Sequence, residues 1–212
     1  MHIDSSELES SSIVEGDICI IGAGAAGISM ALEWIGSRRK VILLEAGGMS
    51  WEAESQEQYR GDVVGQPYFP LSAARLRYFG GTTGHWAGFC APLDEIDFED
   101  RDWVPGSTWP IELSDLHPFY ARANKVLELG PYEYGADYWE AQDPDVRRLP
   151  LGENFWTKMW QFSPPTRFNL VYKDAIVKAR NIQLYTHATV CDIQANENLT
   201  AIDGLLIRTL EG

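Results

Sequence analysis

Apolar residues fall into short blocks punctuated by glycine from early in the chain. The run Asp17-Ile18-Cys19-Ile20-Ile21 breaks into Gly22-Ala23-Gly24-Ala25-Ala26-Gly27, and helix-forming residues with apolar spacing continue over 25–35 as far as Gly36. A basic trio, Arg38-Arg39-Lys40, suits the C-terminal end of that helix or the following turn, where the helix dipole favours cations. Val41-Ile42-Leu43-Leu44 then resumes as a second buried strand. Strand, turn, helix and strand in this order predict a βαβ unit.

Beyond residue 47 the period is lost. Glu52, Glu54, Gln56, Glu57 and Gln58 crowd together, and Gly65-Gln66-Pro67 and Phe69-Pro70 punctuate a surface loop that runs to about residue 78. From 92 to 165 the composition shifts to Trp, Tyr, Pro and acid, with one helix expected over 116–129, capped by Ser114 and stopped by Gly130-Pro131. Ile182-Gln183-Leu184-Tyr185 reads as a short strand, and alternation returns in Thr189-Val190-Cys191-Asp192-Ile193 and in residues 205–210. The expected organisation is a flexible acidic leader over 1–15, a βαβ unit with a glycine loop over 16–90, an inserted subdomain over 91–170, and return strands over 171–212. The fold class is α/β, a Rossmann-type βαβ core with an inserted mixed subdomain. Because the last strand stops at Glu211-Gly212 with no strand after it, the domain reads as incomplete at its C-terminus.

The 212 residues, 45% hydrophobic and 12% aromatic, suffice for a packed core. A formal net charge of −14, with 17 basic residues against 31 acidic ones, argues against nucleic acid as a partner. No apolar stretch is long enough to span a membrane, and residues 1–15 lack the basic and apolar regions of a secretory signal. Cys19, Cys90 and Cys191 are widely separated, which speaks against a disulfide framework and a zinc site and makes a reducing, cytoplasmic location the expectation. None of the four histidines clusters with Cys, Asp or Glu at metal spacing.

Chemistry concentrates in two glycine-rich turns. In the first, Gly22 permits a tight turn, Gly24 lets backbone amides approach a pyrophosphate, and Gly27 allows the helix to pack closely, with Ala25 and Ala26 opening its positive end. Glu45, 23 positions after Gly22 and at the end of the next strand, is placed to accept from ribose hydroxyls, which favours FAD or NAD over a 2′-phosphorylated cofactor. The second turn, Tyr78-Phe79-Gly80-Gly81-Thr82-Thr83-Gly84-His85-Trp86-Ala87-Gly88, separates these two cofactors. Backbone free of side chains at Gly80, Gly81 and Gly84 can lie flat against a planar ring and offer amide donors to its polar edge. Thr82 and Thr83 add hydroxyls, and Trp86 adds an apolar wall. A flavin is such a ring, so FAD is the expected cofactor; an NAD-dependent Rossmann enzyme would leave this second turn unexplained.

Taken together, residues 20–27, Leu44-Glu45-Ala46-Gly47 and residues 80–86 resemble the glucose-methanol-choline flavin oxidoreductases, in particular the branch with pyranose oxidases and sugar dehydrogenases. The resemblance extends through Ser107-Thr108-Trp109-Pro110 to the strands from Ile182 onward. It implies oxidation of a CH–OH group on a sugar or other alcohol by hydride transfer to flavin. It also implies that Ala46 is among the cofactor-binding residues and that Val190 lies on the adenine side of FAD, with Arg77 just ahead of the flavin loop. For His85 it implies either a covalent bond to the flavin 8α carbon or a noncovalent place beside the dimethylbenzene edge.

Members of that family are more than twice this long and carry their catalytic histidine in the C-terminal part, so the catalytic residues are expected beyond Gly212. On this reading the chain is the N-terminal, FAD-binding part of an oxidoreductase; the alternative is a flavin-binding module or an inactive fragment that needs a missing half. His117 and His187 read as structural, since neither has an acid in helical or strand register to orient it as a base. Trp103, Trp109, Trp156 and Trp160 read first as core residues and second as platforms for a sugar ring.

Overall fold

A computed structural model describes every residue of the chain except Pro144, Val146 and Glu153. In chain order it begins with β1 (His2–Asp4), β2 (Ile18–Ile21), α1 (Ala25–Glu33), β3 (Val41–Leu44), α2 (Ala53–Glu57) and α3 (Leu71–Ala74). The middle holds β4 (Phe89–Cys90), α4 (Leu113–Val126), α5 (Ala136–Gln142) and β5 (Gln161–Phe162). It ends with α6 (Phe168–Val171), α7 (Lys173–Lys178), β6 (Ile182–Thr186), β7 (Thr189–Ala195) and β8 (Ile202–Arg208). The chain divides into two compact units, Met1–His85 with Arg167–Gly212, and Trp86–Thr166.

The first unit is α/β. Its four-stranded sheet has the order β1-β6-β3-β2, and each ladder in it is parallel. Strand β3 lies inside the sheet and all four of its residues are buried, as an uninterrupted apolar run predicts for a strand covered on both faces. Alternation sorts the side chains. Val41, Leu43, Ile182 and Leu184 are buried together with Ile28 and Ala31 of α1, Phe168 and Ile176. Ile42, Leu44, Tyr185 and Ala188 form a cluster against which Ile3, Val190, Leu205 and Ile207 pack, so the antiparallel β7–β8 hairpin contributes to that second cluster.

Two expectations for this unit are revised. Residues 2–4, read as part of a flexible leader, form an edge strand on β6, with Ile3 opposite Tyr185, and the Met1 ammonium donates to Ile182 O at 2.8 Å. A three-residue strand is too short to show a period, and its stability comes from a partner some 180 residues away. Within residues 47–78, read as a surface loop, Ser55, Gln56, Arg77 and Tyr78 are buried. The Gln56 amide explains this: Nε2 donates to Ser72 O and Arg75 O at 2.7 and 2.6 Å, and Oε1 accepts from Arg77 N at 3.1 Å. One side chain thus satisfies backbone groups that regular structure would otherwise pair.

In the second unit, α4 begins three residues earlier than expected and ends at Val126. Glu112 rather than Ser114 caps it, in a capping box where Asp115 Oδ2 accepts from Glu112 N at 2.9 Å. The tryptophans expected in the core, Trp103, Trp109, Trp156 and Trp160, are exposed. Among the described residues the one buried apolar side chain of this unit is Ala136, while Ser107, Asn124, Gln161, Ser163 and Thr166 are buried. Hydrogen bonds hold this interior: Gln161 Nε2 donates to Pro131 O at 2.7 Å, and Thr166 Oγ1 to Glu128 Oε2 at 2.7 Å.

Candidate functional site: a nucleotide cavity

The turn from β2 into α1 has the geometry its glycines demand. Gly22 adopts φ +91°, which disfavours any side chain, and its N–H donates to Leu44 O at 2.7 Å. A Cβ on Gly27 would lie 1.9 Å from Gly22 O, so the helix packs onto the turn with no room for a methyl group. Above Gly24 the space is open: a Cβ there would meet nothing within 4 Å. No side chain caps α1, so the amides of its first turn face outward with the positive end of the helix dipole behind them.

Glu45 closes one side. It is 6% exposed, and its two oxygens accept from Ala23 N at 2.9 Å and from Gly47 N at 3.0 Å. Burial raises its pKa, while the amides of Gly47, Ala23 and Ala46 and the positive charge of Arg77 oppose the shift. A carboxylate oxygen retains a second acceptor position after one hydrogen bond, which leaves Glu45 able to receive ribose hydroxyls.

The second glycine turn closes the opposite side. Gly80, at φ +96°, donates to Ala23 O at 2.7 Å, which ties this loop directly to the first turn. A Cβ on Gly81 would stand 3.1 Å from Gly24 Cα. Thr83 Oγ1 donates to Gly80 O at 2.7 Å and accepts from Phe168 N, and Arg167 Nη1 donates to Thr83 O at 2.7 Å. Between the turns lies a cavity of about 380 Å³, lined by Gly22, Gly24, Ala25, Ala26, Gly27, Glu45, Gly81, Thr82 and Thr83 together with Ile21, Tyr59 and Leu76. That volume is in the range of small-molecule sites.

The last three residues were not expected. Ile21 is the end of the strand signal itself, whereas Tyr59 and Leu76 stand in an aperiodic segment and carry no local mark of their position. Arg77 is 5% exposed and does not line the cavity; it donates to Ser55 Oγ at 2.7 Å and to Thr189 Oγ1 at 2.6 Å, pinning the loop to β7. Val190 packs in the apolar cluster under the hairpin, and Ala46 follows Glu45 outside the lining. His85, exposed, ends the first unit, while Trp86 and Ala87 open the second, where the Trp86 indole donates to Thr166 O at 3.0 Å. His187 departs from its reading: the fold supplies the acids that its register lacks, Asp4 and Glu52. Among the described residues no group of three His, Cys, Asp or Glu side chains is arranged to hold a metal, and no helix is long and apolar enough to cross a membrane.

A parallel βαβ core, a glycine turn at a helix N-terminus and an acid at the end of the next strand define a dinucleotide-binding α/β protein. Residues 17–209 match the FAD dependent oxidoreductase family (DAO), and the chain belongs to it. A curated relative, 2-methyl-1,2-propanediol dehydrogenase of Mycolicibacterium austroafricanum, is 27% identical over 168 residues, covering 66% of this chain and 30% of its own length. Among solved structures, pyridoxine 4-oxidase from Mesorbium loti superposes with a TM-score of 0.55 at 18% identity, over 93% of this chain and 47% of that one. L-amino acid deaminase from Proteus myxofaciens, solved in complex with anthranilate, aligns at a TM-score of 0.35 and 18% identity, over 95% of this chain and 44% of its own. The chain therefore spans less than half the length of these relatives. The family implies FAD, and the cavity fits its nucleotide: open space over Gly24, uncapped helix amides for the pyrophosphate, and a buried acceptor for the ribose.

Proposed function

We propose that this chain is the N-terminal, FAD-binding part of an oxidoreductase that removes hydride from the CH–OH group of an alcohol, in the manner of the glucose-methanol-choline branch. The observation that carries the reading is the hydrogen bond from Gly80 N to Ala23 O. It joins the nucleotide turn to a second glycine loop within one cavity, an arrangement suited to a cofactor with a ring system beyond its pyrophosphate. The identity of a diol dehydrogenase among the relatives supports an alcohol, and a sugar or other polyol remains the substrate class suggested by the family resemblance.

In this reading the amides at the start of α1 bind the pyrophosphate, Glu45 receives the ribose hydroxyls, and residues 80–83 lie along the flavin side. FAD, when bound, supplies the hydride acceptor. Loss of hydride from an alcohol also releases the hydroxyl proton, and Glu45, assigned to the ribose hydroxyls at the adenosine end, is not that base. We assign residues 1–212 to binding and orientation, and the family resemblance puts the proton acceptor outside them.

Purified chain incubated with FAD, then stripped of free cofactor, is expected to be yellow and to hold flavin stoichiometrically. Added alcohols should leave the flavin absorbance unbleached in this chain and bleach it in the longer protein. A chain that takes up NAD and not FAD would overturn the reading.

A further inference from the structure

The turn between β6 and β7 carries a charge cluster beside the chain that follows Glu45. His187 sits there at φ +53°, in the left-handed region, with Nδ1 2.9 Å from Asp4 Oδ1 and Nε2 2.8 Å from Glu52 Oε2. Ionised carboxylates only accept, so this pair of contacts is complete when both ring nitrogens donate, as they do in an imidazolium. The three side chains come from three separate elements: the edge strand β1, the segment before α2, and the β6–β7 turn. Nearby charges are His2 on β1, whose Nε2 pairs with Thr186 Oγ1, Lys173 acting on His2, and Arg77 bound to Thr189.

The same turn holds the nucleotide site through its backbone. His187 N donates to Gly47 O and Ala188 N to Glu45 O, both at 2.9 Å, while the Glu45 carboxylate accepts from Gly47 N. The cluster also packs directly on Gly48, where a Cβ would lie 2.2 Å from Glu52 Oε1 and 2.9 Å from His187 Nε2. Moving the ring would move residues 45–48.

We propose that His187 is a positioning residue for the adenosine end of the cofactor: as a cation bridging Asp4 and Glu52, it fixes the turn that holds residues 45–48 and aims the Glu45 carboxylate. This rests on the reading of Glu45 as the ribose acceptor. Burial disfavours the charged ring, but its hydrogen bonds and charge interactions with Glu52 and Asp4 outweigh that and raise its pKa above the ordinary value. The clamp is fully formed below the unfolded-state pKa of histidine and is lost as pH rises through the raised folded value. Cofactor affinity follows it.

The test is a fluorescence titration of the chain with FAD from about pH 6 to about pH 9, with His187 followed by NMR in the same samples. Affinity is expected to fall roughly tenfold, the equivalent of ~1.4 kcal/mol, with a midpoint matching the titration of His187. Asp4→Asn and Glu52→Gln should each move both midpoints to lower pH, because each removes a carboxylate that favours the cation. His187→Gln should bind with the weak, high-pH affinity throughout. Affinity that stays flat across the range, or wild-type behaviour in His187→Gln, overturns the inference and leaves FAD binding intact. If His187→Gln does not fold, the Glu52→Gln midpoint decides, and an unmoved midpoint overturns it. Wild-type chain that binds no FAD at any pH removes the reading of Glu45 and this inference with it.

Discussion

At the scale of single residues, Gly24 and Gly27 separate binding from stability. A methyl group at Gly24 enters open space in the cavity, whereas at Gly27 it meets Gly22 O at 1.9 Å. Gly24→Ala is expected to lose most FAD affinity while thermal denaturation shifts by about 1 kcal/mol or less. Gly27→Ala should lower stability by about 1–3 kcal/mol, the usual cost of overpacking, and lose binding as a consequence. Glu45→Gln is a third case: its single amide oxygen replaces two carboxylate acceptors, stranding an amide at Ala23 or Gly47. Denaturant unfolding of the FAD-free variant should show a stability loss of about 1–3 kcal/mol, the cost of an unsatisfied buried donor. Because His85 is exposed and outside the cavity lining, acid precipitation of the FAD-loaded chain is expected to release flavin to the supernatant, equally in wild type and in His85→Ala. Flavin retained in the wild-type pellet alone would establish the covalent bond.

At the scale of elements, the loop between β3 and the second glycine turn depends on Gln56. Replacing it with Met keeps the length of the side chain but removes its hydrogen bonds to Ser72 O, Arg75 O and Arg77 N. Denaturant unfolding of Gln56→Met should show a loss of about 2–4 kcal/mol, since several buried backbone groups lose their partner at once. What could be read from the chain follows the same division. Strands β2, β3 and β6 and the helix α1 were legible because their signals are local: apolar runs, glycines at a turn, a glycine after the helix. Gln56, Tyr59 and Leu76 were not, because their roles come from contacts made across the loop or around the cavity. The tryptophans misled for a related reason. Indole area predicts burial only where an apolar interior exists to receive it, and the second unit is built around hydrogen-bonded Ser, Asn, Gln and Thr.

At the scale of the whole molecule, the two compact units differ in what holds them. The first has apolar clusters on its central sheet; among the described residues the second buries one apolar side chain, Ala136. Hydrogen exchange is therefore expected to be slowest in β3 and β6 and markedly faster over residues 86–166, where opening exposes little apolar surface. Uniform protection over both units would contradict that ranking. The cavity proposed for the nucleotide is lined wholly by residues of the first unit, between 21 and 83, so it is set in the part of the chain with the deepest apolar support.

The sheet order carries a consequence for biosynthesis. Strand β6 stands between β1 and β3, so residues 2–4, made long before residues 182–186, wait for them before their ladder can form. Until then β3 has β2 on one edge and nothing on the other, and a run of four buried apolar residues presents an unpaired side. A nascent chain held short of β6 should be sticky and protease-sensitive, and it should acquire protection abruptly once that late strand slots in.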